Sequence, residues 1–251
     1  MKGSGSMNNK IIFFITSSMV IFSLTSCSSS KETKEITNAA STEIIETGYN
    51  FTASTLNLDR PKRDRNTPMG EEGTWTVFVY ICGSDLESQN GGASADIKEM
   101  INSSANDKIK FVIETGGAET WKSDISDTVH QRYEISNGKA TLIKEVPDKS
   151  MGESDVLADF LTWGIDNYPA ANMGLILWDH GGGVKGVCSD SNHDRDILQL
   201  RELDAALYSV YDKMTEPFEF IGFDACIMST VENAALMASH ANYMVSSEET
   251  E

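Results

Sequence analysis

Basic residues are scarce in this chain: 20 Lys and Arg stand against 38 Asp and Glu, for a formal net charge of −18. No basic stripe interrupts the acidity. That argues against nucleic acid as a partner, because phosphate binding draws its free energy from counterion release at clustered Lys and Arg. Cationic substrates or side chains suit such a surface better, and the excess of acid also serves solubility. Proline and cysteine are few as well, five and four in 251 residues. A collagen-like helix and a disulfide-stapled miniprotein are thereby excluded, while a 40% apolar content supplies a core. Several catalytic signatures are absent: the chain has no His-Glu-x-x-His, no Walker loop, no Cys-x-x-Cys and no Gly-x-Ser-x-Gly elbow. Zinc peptidase, nucleotide hydrolase and serine esterase readings fall with them.

No apolar run reaches the roughly 20 residues that a membrane-spanning helix needs. The run from Ile11 to Leu24 is interrupted at Thr16, Ser17 and Ser18 and follows Lys10. With Met1 to Ser6 taken as a tag remnant and Met7 as the start, it reads as an export signal and not as a transmembrane anchor. Its end, Leu24-Thr25-Ser26-Cys27, resembles the lipobox of bacterial lipoproteins, which implies cleavage before Cys27 and lipidation of that residue. Cys82, Cys188 and Cys226 remain. Three is an odd number, so at least one thiol stays out of any intrachain disulfide in a compartment that permits them. Three regions follow: 1–26 as tag remnant and signal, 27–73 as a flexible tether or pro-segment, and 74–251 as a single domain. The middle region is rich in Ser, Thr, Glu, Lys and Arg, and its basic cluster (Arg60, Lys62, Arg63, Arg65) offers cleavage sites.

From Thr74 onward, short apolar runs rich in β-branched and aromatic residues alternate with helical periodicity. Thr74 to Ile81, Lys108 to Glu114, Asn172 to Trp178, Phe218 to Phe223 and Tyr243 to Ser246 read as strands. Ala93 to Ile101, Leu198 to Met214 and Ser229 to Ser239 read as helices. Another helix starts at a capping box spanning Ser150 to Glu153 and buries positions 156, 157, 160, 161 and 165. Arg132 to Ile135 and Lys139 to Val146 flank Asn137-Gly138 and predict a hairpin interrupting the alternation. The fold class is therefore α/β: a largely parallel sheet flanked by helices on both faces, with a β-hairpin insertion and a ligand site beyond the carboxyl ends of the strands.

Two motifs fall at such strand ends. Asp179-His180-Gly181-Gly182-Gly183 follows one strand directly, and Asp224-Ala225-Cys226 follows another. A cysteine nucleophile needs a neighbouring base to raise its thiolate fraction, and histidine suits that task near neutral pH. The small residues after His180 let a substrate backbone approach and leave the Gly181 N–H to donate to an oxyanion. His130 and His240 read as ordinary strand and helix residues. Gly181 to Gly186 formally satisfies a dinucleotide-binding glycine pattern, but no helix follows it directly.

The stretches LILWDHGGG (Leu175 to Gly183) and FIGFDACIMSTVE (Phe220 to Glu232) resemble the clostripain family of cysteine peptidases, in the same clan as caspases, legumain and gingipains. The resemblance runs from about Thr74 to the end. It implies a caspase-like fold, a catalytic dyad of His180 and Cys226, cleavage after Arg or Lys, and Asp224 as the acid that receives the basic side chain. The alternative role for Asp224 is a helix N-cap. The resemblance also implies activation by self-cleavage after a basic residue between the dyad partners. Lys185, Arg195 and Arg201 lie in that stretch, and Arg195 is preferred because Asp190 to Asp196 is polar and without apolar periodicity.

The same stretch begins like a calcium loop, with Asp190, Asn192 and Asp194 alternating, but lacks the required Gly and closing Glu. No cofactor is required by this chemistry, no metal ligand is assigned, and calcium is a secondary candidate. The expected partners are protein or peptide substrates with a basic residue before the cut; a monomer is expected, with the membrane reached only through an N-terminal lipid anchor at the cell envelope. Relatives in the resembled family continue beyond the strand near Tyr243, so a missing C-terminal part is expected. The competing reading is an inactive or truncated surface lipoprotein that uses a peptidase-like fold to bind protein or glycan.

Overall fold

The sheet follows from the alternation of buried strands with amphipathic helices. In the computed structural model, residues 49–52, 55–58, 69–104 and 106–250 are described, all within the unit Thr47–Glu251. The export signal, Cys27 and most of the 27–73 region lie outside the described residues. Within that region, β1 (Tyr49–Thr52) and β2 (Thr55–Leu58) pair antiparallel as a two-stranded ribbon.

Seven strands form the main sheet. They are β3 (Trp75–Cys82), β4 (Ile109–Gly116), β5 (Val129–Ser136), β6 (Lys139–Pro147), β7 (Asn172–Trp178), β10 (Phe218–Asp224) and β11 (Ala241–Val245), in the order β11-β10-β7-β3-β4-β5-β6. Neighbours from β11 to β4 run parallel, and β5 and β6 add an antiparallel hairpin. Strand β3 is buried from Thr76 to Cys82, as a central parallel strand covered on both faces must be. The hairpin turns at Asn137 and Gly138, both at positive φ (50° and 73°), the conformation that this dipeptide adopts most readily.

Helices α1 (Ser84–Asn90) and α2 (Gly92–Ser103) follow β3, and α2 places Ala93 and Ile97 against Val77, Val79 and Ile81 on one face. On the other face α3 (Ser154–Asn167) and α4 (Leu200–Ser209) bury Leu157, Phe160, Leu161, Leu203 and Leu207 against Phe78, Leu175 and Ile221. The final helix, α5 (Val231–Met237), precedes β11. A separate antiparallel ribbon, β8 (Val187–Asp190) and β9 (Asp196–Leu198), lies between β7 and α4.

Two local expectations are corrected. The Ser150 to Glu153 capping box does not form: Glu153 is the N-cap of α3 without a side-chain cap bond, and Ser150 Oγ instead donates to Asp196 Oδ2 at 2.7 Å. The hydroxyl oxygen accepts from the Gly152 N–H at 3.1 Å, and the Glu153 N–H goes to the Ser150 carbonyl. The helix expected over Leu198 to Met214 is shorter, because Leu198 pairs with Val187 in the ribbon and both are fully buried. A capping box of Gln199 and Glu202 starts the helix instead, and a 3₁₀ turn over Tyr211–Lys213 ends the segment.

Candidate active site

Strands β7 and β10 are parallel neighbours, with Trp178 opposite Asp224, so the residues after each leave the sheet side by side. His180 and Cys226 are thereby brought to adjacent strand ends, the former partly exposed and the latter half-buried. Gly181 sets how closely the two segments approach. A Cβ built on Gly181 would fall inside the carbonyl oxygen of Cys226 and 3.0 Å from its amide nitrogen, so only glycine lets the two backbones meet. On the far side of the Cys226 turn, the N–H of Ile227 donates to the Glu249 carbonyl and that of Ser229 to the Ser247 carbonyl, each at 2.9 Å.

The third strand end contributes a residue that sequence reasoning missed. β3 lies beside β7, with Ile81 opposite Trp178, and the chain leaving it places Asp85 Oδ1 2.9 Å from His180 Nε2. The hydrogen bond from His180, more than any other influence, holds the Asp85 carboxyl below its ordinary range. With Asp85 on Nε2, the ring presents Nδ1 as its remaining nitrogen. Ser84 holds this segment in place from a left-handed backbone (φ 47°), a sparsely populated conformation for a side-chain-bearing residue. Its Oγ donates to Asp179 Oδ1 at 2.5 Å and its N–H to the Gly117 carbonyl at 3.1 Å. The available sequence signal was a Gly83-Ser84-Asp85 run directly after a buried strand.

Asp179 is the buried anchor between these segments. It accepts from Ser84 and from the Ser189 N–H, yet burial outweighs those bonds and pushes its carboxyl up to about 6. Burial likewise pushes the thiols of Cys82 and Cys188 well up, with the Asp179 charge adding to both. Both are fully buried, which keeps them unreactive.

Asp224 ends β10 with an exposed side chain. It is not a helix N-cap: α5 starts only at Val231, where Thr230 Oγ1 accepts from the Asn233 N–H at 3.2 Å. Lys185 is exposed in a 3₁₀ turn over Gly183–Lys185, and Arg201 is exposed in the first turn of α4. Arg195 is exposed in the β8–β9 turn with φ 58°, and its charge reaches Asp85, contributing to that carboxyl's lowered pKa. Asp190, first of the calcium-like residues, is buried and spends its two carboxylate oxygens on the N–H groups of Met151 and Asn192, each at 2.8 Å. Among the described residues no group of three or more His, Cys, Asp or Glu is arranged to hold a metal ion, and no helix is long and apolar enough to cross a membrane.

The sequence profile described as the clostripain family matches residues 79–251. Clostripain from Hathewaya histolytica is 28% identical over 193 residues, covering 63% of this chain and 35% of that protein. A secreted C11 cysteine protease from Bacteroides thetaiotaomicron, solved with an irreversible peptide inhibitor, superposes with a TM-score of 0.58 at 23% identity, over 71% of this chain and 49% of the other. An inactive zymogen C11 protease from Parabacteroides distasonis gives a TM-score of 0.54 at 21% identity, over 77% of this chain and 51% of the other. The chain thus spans about a third of the curated relative's length and about half of each solved structure's.

Proposed function

The chain belongs to the clostripain family, and from that membership we propose that it is a cysteine endopeptidase that cleaves after Arg, and secondarily Lys. The observation that carries the proposal is the convergence of three strand ends: Cys226 after β10, His180 after β7 and Asp85 after β3. In the first half-reaction His180 Nδ1 takes the Cys226 proton, and the sulfur bonds to the scissile carbonyl carbon. The C–N bond then breaks as His180 returns the proton to the leaving amine. Water, deprotonated by His180, attacks the thioester, releases the new carboxylate and restores the thiol. The Gly181 N–H donates to the oxyanion that forms in each step. Asp85 keeps the imidazole in one orientation and balances the imidazolium, as the acid of a triad does.

Asp224 binds the basic side chain of the residue before the cut, supported by its exposed position two residues from the nucleophile. Arg is preferred to Lys where a planar guanidinium meets a carboxylate in two parallel bonds. Activation proceeds by self-cleavage at Arg195, with Lys185 as the second site; the reach of the Arg195 charge to Asp85 supports its proximity to the dyad. The Parabacteroides relative described as an inactive zymogen accords with such a step. Export with a lipid on Cys27 places the enzyme at the cell envelope, and the Bacteroides relative is described as secreted.

Matched fluorogenic peptides ending in Arg, Lys or Asp, offered to the wild type and to Cys226→Ala, test this reading. Turnover of the Arg and Lys peptides by the wild type alone is expected. Equal turnover by Cys226→Ala, or preference for the Asp peptide, would overturn it.

A further inference from the structure

Ile227 directly follows Cys226 and takes a left-handed backbone, with φ 50°. A β-branched residue meets a steric penalty there that Gly or Asn escapes, and such penalties persist where a site depends on the geometry they impose. The conformation is pinned from outside by the Ile227 N–H, which donates to the Glu249 carbonyl at 2.9 Å. Its side chain is left 40% exposed beside the nucleophile.

Two more branched apolar side chains stand exposed around it. Val184, 55% exposed, belongs to the 3₁₀ turn over Gly183–Lys185, and Val231, 84% exposed, is the first residue of α5. The turn and the helix pack against each other. Gly183 is where they meet: a Cβ built on it would lie 3.4 Å from the Ile227 carbonyl oxygen, 3.8 Å from Thr230 Cγ2 and 3.9 Å from Ile227 Cδ1. Three apolar side chains therefore gather at one glycine of the loop that leaves His180, and none is part of either buried core. Single apolar residues scattered on a surface need no explanation, but a group of them beside a nucleophile does.

What such a patch receives follows from the direction of the cut, so the inference rests on the peptidase reading. His180 gives a proton to the departing amine, and the substrate beyond the cut therefore leaves past His180 and along the Gly181–Lys185 loop that continues from it. In an extended chain every second side chain shares a face. With the basic side chain before the cut turned toward Asp224, the next side chain facing the enzyme on the departing side is the second after the cut. The candidate self-cleavage points all carry an apolar residue there: Val187 follows Lys185 by two positions, Ile197 follows Arg195 and Leu203 follows Arg201. Ile197 already lies against the same loop, its Cδ1 3.5 Å from where a Cβ on Gly182 would stand.

We propose that Val184, Ile227 and Val231 form a subsite for a branched apolar side chain at the second position after the cut. The enzyme then selects substrates in which Leu, Ile or Val stands two residues beyond the basic one. The three side chains set specificity and take no part in making or breaking bonds. Their contribution is the apolar surface that they and the substrate remove from water.

Internally quenched Arg peptides that differ only in Leu, Val, Gly or Asp at that position, with an Arg-aminocoumarin substrate that ends at the cut, test the subsite. For the full chain, kcat/KM is expected to be about tenfold higher for the Leu peptide than for the Gly peptide, with the Asp peptide slowest. Ile227→Asn suits the left-handed backbone and removes the apolar side chain, so the Leu-to-Gly ratio is expected to fall to about twofold. Val184→Ser, at an exposed position, is expected to lower the same ratio. A ratio between two peptides does not depend on how much of a variant is folded. Turnover of the aminocoumarin substrate together with equal kcat/KM for the Leu and Gly peptides, a preference for Asp, or an undiminished ratio in either variant would overturn the subsite and leave the peptidase reading standing. Absence of Arg turnover on every substrate would overturn both.

Discussion

Asp85 Oδ1 and His180 Nε2 stand 2.9 Å apart at the ends of two neighbouring parallel strands, an acid and a base joined across 95 residues of sequence. In the peptidase account Asp85 is a positioning residue for the imidazole. Asp85→Asn is expected to lower kcat/KM for an Arg peptide by about 10- to 100-fold, mostly in kcat, since misplacing a reacting group costs on that order. The expected signature of positioning is that Asp85→Glu recovers part of the loss while KM stays near the wild-type value. A loss confined to KM would contradict it.

The contact between Gly181 and Cys226 predicts a sharp result from a small change. Gly181→Ala places a methyl group inside the Cys226 carbonyl, and the turn bearing the thiol must move. Activity is expected to fall by at least about 100-fold in a protein that still unfolds cooperatively. Gly222→Ala, whose added Cβ would meet nothing closer than 3.5 Å, serves as the control of the same chemistry. Equal activity of the two variants would contradict the geometry.

Asp179 gives stability a defined pH dependence. Its folded-state pKa of about 6 lies above the unfolded value of 3.8, so between those limits the folded chain holds a proton that the unfolded chain has lost. Its contribution therefore falls as pH rises from about 4 to about 6 and is lowest above that. The stability difference, wild type minus Asp179→Asn, is expected to drop by roughly 2 kcal/mol between pH 4 and pH 7. Denaturant titrations across that range check it; a flat or rising difference would contradict the assignment.

Phe160 is fully buried on α3 and meets the Phe78 ring edge-on at 6.0 Å, which ties that helix to the central strand. Phe160→Ala is expected to cost about 3–5 kcal/mol of unfolding free energy, read from the denaturant midpoint. A cost below about 1 kcal/mol would mean that the helix repacks without it.

Much of the architecture was legible because its signals are local. Strands β3 and β7 are predominantly apolar runs, β10 is apolar apart from Glu219, Gly222 and the closing Asp224, and Asn137-Gly138 announces its own turn. The placement of His180 and Cys226 at neighbouring strand ends was legible for the same reason, each standing two residues past its strand. The features that were missed depend on partners distant in sequence. Leu198 continues the helical periodicity of α4 but is claimed by Val187, and Ser150 has the spacing of a capping residue but bonds Asp196. Asp85 reads as an unremarkable acid until the strand order sets β3 beside β7. Tertiary pairing decided each case, and single-sequence periodicity carries no information about it.

The central claim is that Cys226 is the nucleophile and His180 its base, and an Arg-directed acyloxymethyl ketone with intact-mass and peptide mapping tests it most directly. The account predicts one adduct per chain, on Cys226, absent from Cys226→Ala and formed far more slowly in His180→Ala, with Cys82 and Cys188 unlabelled. Labelling at Cys82 or Cys188 in the folded chain, or undiminished labelling in His180→Ala, would contradict it.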